Sequence, residues 1–322
     1  MPLTRRRWLA GAPALLLCGA APHVQAIDDF PSRPIHLWVP WAAGGATDVS
    51  LRLLAELASR ELHQKVIVEN RGGAGGTLAM PVLQQAAPDG YTIAQLPQPL
   101  FRVYLAQSVL WHPLHDVTEI IQVSGVTFGL LVKADSPFAS LDDLFAFARA
   151  EPGVLSIATN GVGTSPHVVL EELFGARGLR YIHVPYKGVA DQINAVGAGH
   201  VMAGVSSTGF GPAVDGGQLR LLVTFGARRS KRWPGVPTLR ELGHDIVAQS
   251  PYGLGGPRDL PARIVAILHD AFKVAMFDPQ FVHEIAKYDQ EPDYLGPEAQ
   301  AQARRDMFAR ERAAVERERA AR

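Results

Sequence analysis

Short β-rich runs alternate along this chain with stretches of helical spacing, and that alternation points to a mostly parallel sheet covered by helices. Ile35 to Val39 reads as a strand that ends at Pro40. Residues 48–62 follow with Val49, Leu51, Leu53, Leu54, Leu57 and Leu62 at broadly helical intervals, and Asp48 is placed to cap that helix. Val66 to Val68 is the next strand. The run Arg71-Gly72-Gly73-Ala74-Gly75-Gly76 leads to a helix over 77–87, and the turn Pro88-Asp89-Gly90 opens a strand at Tyr91 to Leu96. After a less regular stretch the pattern resumes. Strands are expected at Phe128 to Lys133, Leu155 to Thr159, Tyr181 to Val184, Val201 to Val205 and Leu219 to Phe225. Helices are expected at Leu141 to Arg149, near Pro166 and at Ala190 to Val196. A strand-like run at Tyr252 to Leu254 and helices near 261–276 and 297–318 complete the chain. The last helix is dense in Arg and Glu and reads as a solvated element held by i,i+4 pairs.

The first 26 residues have the order of an export signal. Arg5, Arg6 and Arg7 form a positive region, Leu9 to Ala21 an apolar stretch, and Val24-Gln25-Ala26 a small-residue cleavage site. The apolar stretch is too short and too interrupted by Gly and Pro to span a bilayer. Thr4 to Leu9 also fits a twin-arginine signal, so the general secretory and twin-arginine routes both stay open. Lys+Arg and Asp+Glu each number 31, so neither nucleic acid nor an anionic membrane surface is indicated as a partner. The signal carries three arginines and no acid, so its removal leaves a mildly acidic mature chain. The one cysteine, Cys18, lies inside the signal, which leaves no thiol for a disulfide or a Cys-ligated metal.

Two glycine loops carry the functional signal. In Pro40-Trp41-Ala42-Ala43-Gly44-Gly45-Ala46-Thr47-Asp48 a strand ends and a helix begins. A helix start offers unpaired N–H groups and the positive end of a dipole, which suit a carboxylate. Thr47 adds a hydroxyl donor and Trp41 a wall. Thr159-Asn160-Gly161-Val162-Gly163-Thr164-Ser165-Pro166-His167 repeats the design, with Pro166 in the first helical turn. A third loop, His183 to Gly188, ends another strand and holds Lys187. Two anion-ready helix starts would grip the two ends of a small acid.

Together with Phe30-Pro31-Ser32-Arg33-Pro34-Ile35, Val68-Glu69-Asn70-Arg71-Gly72-Gly73-Ala74-Gly75-Gly76, Pro88-Asp89-Gly90-Tyr91-Thr92 and Val236-Pro237-Thr238, these loops make the chain resemble the Bug family. Its members are the extracytoplasmic solute receptors of tripartite tricarboxylate transporters. The resemblance implies a non-enzymatic periplasmic receptor with a two-lobed, type II periplasmic-binding-protein α/β fold and the ligand cleft between the lobes. Residues 27–127 and 247–322 would form one lobe and 128–246 the other. Carboxylate binding would fall on Trp41, Ala43, Gly44, Gly45, Thr47 and Asp48 in the first lobe, and on Asn160, Gly163, Thr164 and Ser165 in the second. No cofactor or metal is implied. The implied partners are a small carboxylate (a di- or tricarboxylate or an aromatic acid) and integral membrane transporter subunits, for a monomeric receptor. A sensor role, in which the loaded receptor engages a membrane histidine kinase, is the alternative. Two segments that would border the implied cleft depart from the family pattern. Ser206-Ser207-Thr208 stands where an acidic or amide residue is usual, and Pro97 to Arg102 lacks the usual small residues and asparagine. A serine at Ser206 removes a carboxylate that would recognise an ammonium group, which favours a ligand that is not an amino acid.

An exported α/β hydrolase is the rival reading, and the residues give it little. The glycine run at 72–76 lacks dinucleotide spacing, and no Gly-x-Ser-x-Gly elbow is present. Ser165 and His167 sit across a proline, too close to assume a catalytic pair. His112, His115 and Asp116 flank Pro113 and read as loop residues rather than metal ligands.

Overall fold

The computed structural model describes residues 29–320. The signal segment read at 1–26, with Arg5 to Arg7 and Cys18, lies outside the described residues. Strand β1 (Ile35–Val39) alternates buried and half-buried side chains, and α1 (Ala46–Leu62) turns Leu51, Leu54, Leu57, Ala58 and Leu62 into the core. Next come β2 (Val66–Asn70), α2 (Ala79–Gln85), β3 (Thr92–Leu96) and α3 (Pro99–Ala106). The chain then runs extended for 17 residues as β4 (Val117–Lys133) before α4 (Leu141–Ala150). Helix α4 opens with a capping box. Ser140 Oγ accepts the Asp143 N–H at 3.2 Å, and Asp143 Oδ2 accepts the Ser140 N–H at 2.9 Å. Then follow β5 (Ser156–Thr159), α5 (Ser165–Gly175), β6 (Ile182–Pro185), α6 (Val189–Gly197), β7 (Ala203–Ser207), α7 (Gly211–Asp215) and β8 (Leu219–Thr224). Strand β9 (Gln249–Pro257), α8 (Ala262–Met276), α9 (Pro279–Ala286), β10 (Pro292–Leu295) and α10 (Pro297–Ala320) complete the order.

The sheet is mixed rather than mostly parallel. Strand β1 pairs in parallel with β2 and β3, and β5 pairs in parallel with β6 and β7. Between these wings β3, β9 and β4 run antiparallel. Strand β4 changes partner midway. Val117 to Thr127 pairs with β9, and Phe128 to Lys133 pairs with β7 and β8. The stretch before Phe128 had looked irregular because both faces of β4 are buried, which erases the two-residue alternation that marks a half-exposed strand.

Helix α10 also differs from the expectation of a solvated element. It is not simply solvated, because Gln300, Arg304, Phe308 and Val315 form a buried stripe along it. Arg304 Nε donates to Glu119 Oε1 on β4 at 3.2 Å, and its Nη2 donates to the Pro113 carbonyl at 2.7 Å. One i,i+4 pair, Gln302 with Asp306, lies on the outer face.

Candidate ligand-binding site

The first loop is built by β1 ending at Val39 and α1 starting at Ala46. Asp48 is not the N-cap. Gly45 occupies that place, and Asp48 lies in the first turn, where its carboxylate reaches back to accept the Gly44 N–H at 2.8 Å. Asn70 Nδ2 donates to Asp48 Oδ1 at 2.7 Å and to the Trp41 carbonyl at 3.1 Å, and Arg52 Nε donates to Asp48 Oδ2 at 3.1 Å. Asp48 is 2% exposed, so these bonds occupy the carboxylate and fix the loop. No side chain caps α1, and the Ala46, Thr47 and Asp48 N–H groups have no partner among the described residues. The glycine run supports the same loop. At Gly76, with φ of 88°, an added Cβ would come within 2.6 Å of the Trp41 indole. Removing the buried carboxylate by Asp48→Ala takes the charged acceptor away from the exposed Gly44 N–H and the half-buried Asn70 amide. It should cost about 1–3 kcal/mol of stability and weaken ligand binding, read by thermal unfolding and calorimetric titration.

The second loop joins β5 to α5. Thr164 is the N-cap residue, yet its hydroxyl donates to the Gly161 carbonyl at 2.7 Å rather than capping the helix. The Gly163 N–H donates to His167 Nδ1 at 3.2 Å. The Ser165 and His167 N–H groups have no partner among the described residues. Ser165 Oγ donates to Gln98 Oε1, just before α3, at 3.1 Å.

Both helix starts line one cavity of about 580 Å³, counting its open mouth. Of the residues expected from sequence, Trp41, Gly45, Thr47, Asp48, Asn160, Thr164 and Ser165 line it. Ala43, Gly44, Gly163 and Ser206 do not. The Gly44 and Gly163 amides are occupied by Asp48 and His167, and Gly163 borders a second, more polar cavity beyond the Gln98–Ser165 bond. Ser206 is fully buried within β7, and its neighbour Ser207 faces the cavity instead, as the two-residue alternation of a strand requires. Pro97 and Pro99, from the 97–102 segment expected beside the cleft, line it, and the other walls carried no signal in the sequence. Gln95 comes from the end of β3. Val126 and Phe128 come from β4, Ser250 and Tyr252 from β9, and Val189 from α6. Burial pushes the Tyr252 phenol up to about 12, so it stays a neutral donor, bonded to Gln290 Oε1 at 3.1 Å. Among the described residues no lysine, arginine or histidine lines this cavity, and Asp48 is its one charged side chain. His112 and His115 have no part in it. His112 Nδ1 accepts the Leu114 and His115 N–H groups within their loop.

A mixed α/β chain with a cavity between uncapped helix starts suits a solute-binding receptor, and solved structures of such receptors share the fold. The periplasmic binding protein BugD superposes with a TM-score of 0.85 at 26% identity, covering 89% of this chain and 98% of that one. MatC from Rhodopseudomonas palustris, solved with bound malate, superposes with a TM-score of 0.83 at 26% identity, covering 89% of this chain and all of that one. The fold is thus the two-lobed fold of periplasmic binding proteins. A UPF0065 protein from the gbd 5′ region of Cupriavidus necator is 43% identical over 311 residues, 97% of this chain and 95% of the relative. Residues 50–319 match TctC, the tripartite tricarboxylate transporter family receptor, and the chain belongs to that family. The family consists of substrate-binding receptors rather than enzymes, and its likeness to periplasmic binding proteins places the protein in the periplasm.

Proposed function

We propose that this receptor captures a small carboxylate with an apolar body and no amino group, and delivers it to the membrane subunits of a tripartite tricarboxylate-type transporter. The observation that carries the proposal is the pair of helix starts, α1 and α5, on one cavity whose described lining has no cationic side chain. Backbone amides and helix dipoles then supply the positive potential for the carboxylate. Trp41, Val126, Phe128 and the prolines suit a hydrocarbon or aryl body. The single charged side chain, Asp48, already serves Gly44, Asn70 and Arg52, so it is not free to pair with a ligand ammonium. The malate held by MatC is likewise a small carboxylate with no amino group. In this reading residues 27–127 with 247–322 form one lobe, 128–246 form the other, and the ligand stabilises their closed arrangement.

A thermal-shift panel tests the proposal. Malate, succinate, adipate and benzoate are compared with aspartate and glutamate. At least one acid of the first group should raise the melting temperature, since a ligand at a hundredfold its Kd adds about 2.7 kcal/mol. Stabilisation by the amino acids alone, or by none of the panel, counts against the proposal.

A further inference from the structure

Beneath the second loop lies a pair of histidines that the binding function leaves unassigned. The rings of His167 on α5 and His183 on β6 stack with centroids 4.2 Å apart and planes 26° apart. Each ring holds a different part of the 160–165 loop. His167 Nδ1 accepts the Gly163 N–H at 3.2 Å, so the neutral ring carries its proton on Nε2. His183 Nε2 bonds Thr159 Oγ1 at 2.7 Å, and that hydroxyl in turn accepts the Gly161 N–H at 3.2 Å. Thr159 is fully buried and lies at the end of β5, where the loop leaves the sheet.

We infer that His167, seated on His183, is a positioning residue for the ligand loop: its unprotonated Nδ1 fixes Gly163 and with it the helix start that faces the acid. The inference rests on the proposed binding site. A proton on Nδ1 removes the only acceptor that the Gly163 N–H has among the described residues. It also sets a cation against the stacked ring. The surroundings favour the neutral pair. Burial holds His167 below the usual histidine range, with Glu171 acting against it and Arg102 in the same sense. Burial and then His167 push His183 down to about 4. The charged groups around the pair are Glu171 on α5, 3.8 Å from His167 Nε2, and Arg102 on α3, which is paired with Glu311 on α10 at 3.4 Å. Tyr181 donates to Glu171 at 2.6 Å and keeps that carboxylate occupied. Acidification therefore charges the pair late, and when it does the loop loses its anchor.

The test reads the loop directly, with and without ligand. In ligand-free protein the Gly163 amide resonance should shift with pH, with a midpoint below 6.5. It should stay flat in His167→Asn, whose side-chain oxygen replaces Nδ1 and does not titrate. With malate as the probe, wild-type affinity should fall on acidification below pH 7, and fall further than that of His167→Asn. His167→Asn should keep wild-type affinity at pH 7, whereas His167→Phe should be weak at both. If His167→Phe does not fold, the contrast between wild type and His167→Asn decides alone. A Gly163 resonance that ignores pH in the wild type overturns the inference, as does a pH dependence of affinity identical in wild type and His167→Asn. If malate does not bind, the ligand-free titration of Gly163 still decides, so the failure of the binding site and that of the histidine anchor are told apart.

Discussion

Replacing Gly188 by threonine should weaken capture of the acid by roughly 100-fold while leaving the ligand-free protein as stable as before. Gly188 is the N-cap residue of α6, with an extended backbone that any residue adopts. Threonine is as good an N-cap residue as glycine, so the helix loses nothing. What changes is the approach of the first loop. A Cβ on Gly188 would stand 2.6 Å from the Ala42 Cβ, nearer than real carbons come, and neither atom is the end of a flexible side chain. In the proposed lobe division Ala42 and Gly188 belong to different lobes, and on that reading the clash exists only when the two lobes meet. If closure is what completes the site, the competent fraction of the receptor falls with the population of the closed state, and affinity falls with it. A destabilisation of the closed state by about 3 kcal/mol weakens binding by roughly 100-fold. The melting temperature without ligand should stay within about 2 °C. Calorimetric titration and thermal unfolding of both proteins check the two halves of the expectation. Unchanged affinity means that the site does not need the contact.

Arg304→Ala should produce the opposite pattern, a large loss of stability wherever the ligand stands. Arg304 is 5% exposed, bonded to Glu119 and to the Pro113 carbonyl, and its guanidinium lies 4.9 Å from the Phe101 ring centre. Removing it leaves Glu119 charged and largely buried with no cation. Breaking a buried pair from one side typically costs about 3–5 kcal/mol, here a fall in melting temperature of roughly 10 °C. The control separates charge from packing. Arg304→Met combined with Glu119→Gln removes both charges and should recover most of the loss. A double variant as unstable as Arg304→Ala would show that packing against Phe101, rather than the ion pair, fastens α10 to β4.

How much of this was legible in the sequence follows from what each feature depends on. The junctions at Val39–Ala46 and Thr159–Ser165 were readable because strand, glycine turn and helix are adjacent in the chain. The helix boundaries shifted by a residue or two, and α1 begins at Ala46 rather than Asp48 because the Asp48 carboxylate works from inside the first turn. Helix α3, helix α9 and the first half of β4 were missed. The two helices are only eight residues each, and β4 is buried on both faces. Beyond the segments 97–102 and 206–208, the cavity walls were not legible. Val126 pairs with Ser250 and Phe128 with Ser207, so the walls arise from strands about 80 to 125 residues apart whose register no local pattern declares. The same register explains why Ser207, not Ser206, reaches the cleft. The occupied amides at Gly44 and Gly163 were hidden for a related reason. A glycine loop announces that N–H groups are available, but not which side chains have already taken them.

The arrangement of amides is the central claim, and a crystal structure of the receptor with a bound acid from the panel measures it most directly. Carboxylate oxygens should lie within hydrogen-bond distance of N–H groups at the start of α1, at Ala46 to Asp48, and of the Ser165 N–H at the start of α5, directly or through one water. An acid held instead by Arg102 in the neighbouring polar cavity, or by any lysine or arginine side chain in place of those amides, would contradict it.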